Sequence, residues 1–130
     1  MEIKNILVVN DNPIRLAFFE KMLKKPGINV ELCGAPYAYI KEGGSIKPDL
    51  IILDRKYGKI NILDNDGYKE FLKIAPTILT SSSMPLESQT KETIKDLINK
   101  GLYGLANDEP EPLDTMLKKI ELQRRDCEGL

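Results

Sequence analysis

The chain has 130 residues, of which 42% are hydrophobic and 30% charged, and 19 basic residues face 20 acidic ones. This length suits one domain with its own core, and the near-zero net charge argues against nucleic acid or an anionic membrane as a partner of this segment. No stretch approaches the roughly twenty apolar residues that a membrane span needs, and no targeting signal opens the chain, so we expect a cytoplasmic protein.

The sequence contains no histidine, and its two cysteines, Cys33 and Cys127, lack the paired spacings of zinc or redox motifs. Without histidine, the usual Ser-His and Cys-His catalytic arrangements and most zinc and haem sites lose their central residue. We interpret the two thiols as one buried side chain and one in a tail. These features argue against most hydrolases.

Strands and helices alternate along the whole chain. Residues 6–9 form a short apolar run typical of a buried strand, and beyond Pro13 apolar residues recur at the three- and four-residue intervals of an amphipathic helix that ends by Pro26. The later predicted elements are strands at 30–33, 50–53, 77–79 and 103–106 and helices at 37–42, 68–74, 86–100 and 113–124. Gly101 is predicted to cap the helix before it, and residues 54–66 are predicted to be a polar loop.

Apolar strands separated by helices predict an α/β fold with a parallel sheet between two helical layers, because parallel crossovers place helices on both faces. We expect five βα units in one doubly wound domain over residues 1–124. Residues 125–130 are expected to be a polar tail or the start of a linker. In such sheets, functional residues gather at the carboxyl ends of the strands, where the strand order reverses.

Polar residues follow four of the predicted strands at this edge. They are Asn10 and Asp11, then Asp54, then Thr80 and Ser81, and last Asn107, Asp108 and Glu109. The pattern resembles the receiver domain of bacterial two-component response regulators. The matching segments are ILVVNDNP, PDLIILD, Asp66-Gly67 at the start of a helix, PTILTSS and GLYGLANDEP. The resemblance extends from residue 3 to about residue 120.

The resemblance implies a flavodoxin-like sheet order and a signalling domain rather than an enzyme. By the family pattern, Asp54 would take a phosphoryl group from a sensor histidine kinase or a phosphotransfer protein. Asp11, Asp54 and the backbone carbonyl of Lys56 would hold Mg²⁺, and Thr80 would hydrogen-bond the phosphoryl group. A carboxylate needs such a cation because its own charge otherwise repels the phosphoryl oxygens. The face of the fourth helix, fifth strand and fifth helix would contact an effector protein or a second subunit.

Two residue types depart from the family pattern. Asn10 stands in place of an acid, so it would meet Mg²⁺ only through a water molecule and would weaken metal binding. Asp108 or Glu109 stands where the family has a lysine, and a carboxylate there repels phosphoryl oxygens. Arg55 or Lys56 is the nearest cation in sequence to compensate, unless both are simply solvated loop charges.

A third departure is the length of the segment after the acceptor position. The Asp66-Gly67 pair lies five residues further from Asp54 than in the family. The extra segment, residues 55–65, brings apolar side chains that are expected to cover the site or to meet a partner. These side chains are Ile60, Ile62 and Leu63.

Two positions concern the conformational switch of the family. Leu105 aligns with its aromatic switch residue, and Tyr103 is close enough in sequence to take part instead. Among the hydroxyls after the fourth strand, Thr80 is expected to be functional, whereas Ser82 and Ser83 are interpreted as a polar loop and helix cap.

Two functions stay open at this point. One is a receiver phosphorylated on Asp54, and the other is a pseudo-receiver that binds a protein partner without phosphorylation. A flavin or cobalamin domain of the same fold is disfavoured, because no glycine-rich phosphate loop follows the first strand and no histidine is present to ligate cobalt.

Overall fold

The computed structural model describes residues 2–64, 66–81, 91–107 and 109–128. In chain order its elements are β1 (Asn5–Val9), α1 (Pro13–Leu23), β2 (Asn29–Cys33), α2 (Pro36–Glu42), β3 (Leu50–Asp54), β4 (Lys56–Tyr57), β5 (Ile60–Asn61), a short 3-10 helix (Ile62–Asp64), α3 (Gly67–Leu72), β6 (Thr77–Ser81), α4 (Lys91–Asn99), β7 (Gly104–Asn107) and α5 (Leu113–Glu128). None of the helices in the described ranges is both long enough and apolar enough to cross a membrane.

Five of the strands form one parallel sheet in the order β2-β1-β3-β6-β7. Strands β4 and β5 form a separate antiparallel pair. Counting only the strands of the large sheet, the order is 2-1-3-4-5, the flavodoxin-like doubly wound arrangement. The predicted fold class is therefore confirmed. The order reverses between β1 and β3, so the carboxyl ends of these two strands flank the switch point.

Both faces of the sheet are buried, as the continuous apolar strands predict. Alternate strand residues pack with α2, α3 and α4 on one face; these are Leu7, Val9, Ile51, Leu53 and Leu79. The intervening residues pack with α1 and α5 on the other face; these are Ile6, Val8, Leu50, Ile52 and Ile78. This period of two divides the core into two layers and fixes which strand residues face each helix.

Local signals set the ends of two helices. The Asn12 side chain accepts hydrogen bonds from two backbone N–H groups in the first turn of α1, as an N-cap residue does. After α4, Gly101 has a φ of +102° and its N–H donates to the carbonyl of Ile98 (3.0 Å), while Leu102 N–H donates to that of Leu97 (3.1 Å). This bond pair is a Schellman motif and confirms the predicted cap at Gly101.

The polar loop predicted at residues 54–66 was wrong in its interior. The chain forms an antiparallel hairpin of β4 and β5, residues 56–61, followed by a 3-10 turn. Gly67 then begins α3, which confirms the Asp66-Gly67 pair as the start of a helix. The predicted start of the fourth helix falls within residues 82–90, which lie outside the described ranges.

The last helix runs further than the sequence pattern indicates. Helix α5 continues through Glu128, so Cys127 lies in a helix and not in a tail, and both thiols are partly buried. Just before this extension, the helix is bonded to the backbone at the start of β7. Gln123 accepts from the N–H of Leu105 (3.0 Å) and donates to its carbonyl (2.6 Å), and Arg124 donates to the carbonyl of Tyr103 (3.0 Å).

The hairpin is bound into the core at its base. Ile62, directly after β5, is fully buried, and its N–H donates to the carbonyl of Arg55 (2.8 Å). Tyr57 is buried as well, Leu63 is partly buried, and Ile60 is 49% exposed near the tip. Of the three apolar residues in this segment, Ile62 is thus a core residue and Ile60 is available at the surface.

We expect Ile62→Ala to lower the free energy of unfolding by about 2–5 kcal/mol, because truncating a fully buried isoleucine leaves a cavity. The matched change Ile60→Ala removes the same atoms at a half-exposed position and should cost less than about 1 kcal/mol. Urea denaturation followed by circular dichroism measures both. Equal losses for the two variants would contradict the packing of the hairpin base.

Candidate functional site

Parallel register brings most of the predicted site residues to one edge of the sheet. Asp54 is the last residue of β3 and pairs in register with Thr80 of β6. Asn10 and Asp11 follow directly after β1, the neighbour of β3 on the other side. Because all three strands run the same way, their carboxyl ends meet at the switch point, as the sequence predicted.

Asp54 is a nearly buried carboxylate, with 8% of its surface exposed. Its Oδ1 accepts a hydrogen bond from the N–H of Arg55 (3.0 Å) and lies 3.4 Å from the Thr80 hydroxyl, which is long for an O–H···O bond. Thr80 is buried, and its carbonyl accepts from the same Arg55 N–H (2.9 Å). Hydrogen-bond donors therefore lie where a buried negative charge requires them.

Asp11 and Asn10 have different surroundings. Asp11 is exposed, and its Oδ2 accepts a hydrogen bond from the N–H of Gly58 at the hairpin tip (3.1 Å). Asn10 is buried, and its Oδ1 accepts the N–H of Asn12 (2.9 Å), while its own N–H donates to the carbonyl of Cys33 (3.0 Å). The amide oxygen that was predicted to meet a metal-bound water thus already takes part in the turn that leads into α1.

Tyr57 lies across this edge, although sequence reasoning did not single it out. Its hydroxyl donates to the carbonyl of Val9 at the end of β1 (2.9 Å). Burial raises the pKa of the phenol far above its ordinary value, and the nearby charges of Asp54 and Asp11 raise it further. Both carboxylates therefore act on Tyr57. In the sequence, the signal that could have pointed to Tyr57 was its place as the lone aromatic residue within residues 55–65.

Gly58 forms the turn of the hairpin. Its φ is +63°, whereas Lys59, like every other described non-glycine residue, has no positive φ. A positive φ at the first of two turn residues is the pattern of a type II′ turn, which favours glycine there.

The backbone groups of Lys56 point away from β5. In an antiparallel ladder, hydrogen-bonded residue pairs alternate with pairs that are not hydrogen-bonded. The N–H of Ile62 donates to the carbonyl of Arg55, so the next pair, Lys56 with Asn61, is one of the second kind. The Lys56 carbonyl is thus not used by the ladder.

The charges around the predicted lysine position are partly described. Glu109 is exposed beyond β7, and Asp108 lies outside the described ranges. Of the two cations nearest to the acceptor in sequence, Lys56 is exposed, whereas Arg55 is partly buried and its Nε has no hydrogen-bond partner among the described residues. A buried guanidinium N–H without a partner is costly, so an oxygen of a ligand would be favourable there. Of the two cations, Arg55 is therefore the one with a buried donor that still lacks a partner among the described residues.

The two predicted switch positions, Leu105 and Tyr103, have different surroundings. Leu105 is buried in the core between the sheet and α4. Tyr103 precedes the strand at its amino end, and the Arg124 guanidinium stacks over its ring at 4.5 Å. Since the site lies at the carboxyl ends of the strands, Tyr103 is fixed at the opposite end and does not reach Asp54.

The donor set at this edge suits a hard divalent cation. Two carboxylates, of Asp11 and Asp54, and the carbonyl of Lys56 are oxygen ligands of the kind that Mg²⁺ prefers. Within the described ranges, no group of three or more histidine, cysteine or acidic side chains forms a metal site by itself. The residues therefore fit a Mg²⁺ ion that keeps several of its waters, as is usual for this ion with one or two carboxylates.

No family model matches the chain, and no curated protein sequence matches it. Solved structures are similar. The signal receiver domain assigned to a Luxo repressor protein of Vibrio parahaemolyticus is 18% identical, covers 98% of this chain and 94% of its own, and has a TM-score of 0.66. The response regulator domain of Thermotoga maritima CheB is 19% identical, with coverages of 94% and 96% and a TM-score of 0.64. A CheY-like receiver domain of Methanospirillum hungatei is 19% identical, with coverages of 96% and 99% and a TM-score of 0.61. At these identities the likeness establishes a shared fold.

Tyr57 is expected to make the protein sensitive to alkaline pH. A tyrosine in the unfolded chain ionises near pH 10, whereas folded Tyr57 keeps its proton, so the folded state binds more protons above pH 10. On account of this group, the free energy of unfolding should then fall by about 1 kcal/mol between pH 10 and pH 11, while the unfolded tyrosine goes from half to almost fully ionised. Tyr57→Phe removes that loss. Urea unfolding of both proteins at pH 10 and 11 measures the difference, and parallel pH curves would contradict the buried phenol.

Proposed function

We propose that this chain is a receiver domain of a two-component or phosphorelay system, in which Asp54 accepts a phosphoryl group with the help of Mg²⁺. The observation that carries the proposal is the nearly buried Asp54 carboxylate at the switch point, beside Thr80 and Asp11. Ligands of doubly wound sheets bind at this place. The receiver domains among the structures of the same fold support the proposal.

The side chains at this edge have separate roles in the transfer. The Asp54 carboxylate forms the new O–P bond, while the P–N bond of a phosphohistidine breaks and its electron pair goes to the imidazole. The Arg55 N–H holds Oδ1 and so fixes the orientation of the carboxylate. The Thr80 hydroxyl donates to a phosphoryl oxygen. Asp11, Asp54 and the Lys56 carbonyl would hold Mg²⁺, which would supply positive charge at the phosphoryl oxygens.

The Arg55 side chain is the group that we assign to the position of the absent lysine. It lies next to Asp54 in the chain, and its buried Nε lacks a hydrogen-bond partner among the described residues. A phosphoryl oxygen would satisfy that N–H and would gain a charge-assisted hydrogen bond. Lys56 is exposed and better suited to a solvated position.

An exposed apolar row on α1 supports docking of a protein partner. Ile14, Phe18 and Met22 lie one turn apart with exposures of 67%, 52% and 36%, whereas Phe19 and Leu23 face the core. Apolar side chains in a contiguous exposed row are typical of interaction surfaces. The row begins just after the edge that holds the acceptor, so we assign it to the histidine-bearing domain of a sensor kinase or phosphotransfer protein. Contact of the α4, β7 and α5 face with an effector protein or a second subunit stays a prediction.

The hydrogen bonds and charges of the proposed metal ligands favour a second function. Asp11 is bonded to the hairpin, Asn10 brings no charge, and Glu109 adds an acid beyond β7. These features weaken cation binding and suit a pseudo-receiver, which would use the same α1 row to bind a protein without phosphorylation. The two functions differ in whether Asp54 is modified.

Intact-mass analysis after incubation with acetyl phosphate and Mg²⁺ separates them. The wild type should gain one phosphoryl group, and Asp54→Asn should gain none. Asp49→Asn is the matched control: Asp49 precedes the same strand at its other end, where it accepts the N–H groups of Lys4 and Asn5 (both 2.9 Å), so labelling should persist.

Chelation of Mg²⁺ with EDTA should abolish the label in the wild type. A folded wild-type protein that stays unmodified under conditions that label a typical receiver would contradict the acceptor role of Asp54. That result would favour the pseudo-receiver.

A further inference from the structure

The hairpin of residues 56–61 is joined to the acidic edge at two points of different strength. Near its base, buried Tyr57 donates to the carbonyl of Val9 (2.9 Å). At its tip, the N–H of Gly58 donates to Oδ2 of Asp11 (3.1 Å), and both residues are exposed. The first contact is shielded from water and the second is not, so the tip is the part that opens more easily.

The hairpin tip is hydrogen-bonded to Asp11, a side chain that the proposed cation needs as a ligand. A Mg²⁺ ion binds carboxylate oxygens at about 2.0–2.1 Å and keeps its other waters in a strict octahedron. The Gly58 N–H already places a partial positive charge on Oδ2 of Asp11, so a cation that bound this oxygen would have to displace the hairpin tip. Lys56 and Lys59 flank Gly58 and add two positive charges to this segment. The hairpin tip and a divalent cation therefore compete for the same carboxylate.

We infer that the hairpin is a latch, which is closed on Asp11 through Gly58 and must open at its tip before a divalent cation binds. The inference rests on the proposed function, since it gives Asp11 the role of a metal ligand. A protein whose binding-competent state is populated only in part has its apparent affinity reduced by that fraction. Closure of the latch thus sets how much cation is needed to prepare Asp54 for phosphoryl transfer.

The turn glycine allows a test that leaves every proposed ligand in place. A Cβ at residue 58 would meet nothing within 4 Å, so Gly58→Ala acts only through the strain of an alanine at φ +63°. Gly43→Ala is the matched control, because Gly43 has a φ of +76°, also has open space around it, and ends α2 away from Asp11. Both variants should lower the melting temperature by similar amounts.

Of the two variants, only Gly58→Ala should change the affinity of the protein for Mg²⁺. Weakening the closed turn raises the open fraction, so the dissociation constant for Mg²⁺, measured by calorimetry, should fall about threefold to tenfold in Gly58→Ala. In Gly43→Ala it should stay within about twofold of the wild type. A second measurement uses the wild type alone: added Mg²⁺ should speed hydrogen exchange of the Gly58 amide and leave that of Gly43 unchanged.

Several results would overturn the latch. They are an unchanged or weaker affinity for Mg²⁺ in Gly58→Ala, slower exchange of the Gly58 amide when Mg²⁺ is added, and no Mg²⁺ binding by either protein. If Mg²⁺ binding shows the expected dependence on Gly58 but acetyl phosphate does not label Asp54, the proposed function fails and the latch stands. The two failures are therefore distinguishable.

Discussion

Two carboxylates at one edge of a parallel sheet impose the constraint on which the site depends. Asp54 is nearly buried, Asp11 lies beside it at the switch point, and both charges act on the phenol of Tyr57. Like charges at close range are tolerated only where hydrogen-bond donors or a cation compensate them. Here the N–H groups of Arg55 and Gly58 supply part of that compensation from the protein itself. A divalent cation at Asp11 would replace the second of these donors, so the hairpin and the site are coupled through this carboxylate.

The fold and the strand-end part of the site could be predicted because each follows from a repeated, local pattern. Apolar strands that alternate with amphipathic helices leave few arrangements other than a doubly wound sheet, and the order β2-β1-β3-β6-β7 is one of the common ones. Once the strands are parallel, the residues at their carboxyl ends must converge. The pairing of Asp54 with Thr80 is a direct consequence of this register.

The hairpin could not be predicted, because its information is not periodic. Two strands of two residues each give no alternation to detect, and the contact that fixes Tyr57 joins it to Val9, 48 positions away. The same holds for the packing of α5, whose Gln123 side chain bonds to the backbone of Leu105 in β7, 18 positions away. In both places a side chain bonds to backbone that is distant along the chain, and a local sequence pattern does not reveal such a contact.

The acceptor role of Asp54 is tested most directly by fluorine NMR of the protein with beryllofluoride, an analogue of the phosphoryl group. A bound fluorine resonance should appear only when Mg²⁺ is present, and it should be absent in Asp54→Asn. Thr80→Ala should weaken the bound signal, because the hydroxyl 3.4 Å from Oδ1 would no longer be available to the analogue. No bound resonance in the wild type at saturating Mg²⁺ would contradict a phosphoryl site at Asp54, and a bound resonance that persists in Asp54→Asn would do so equally.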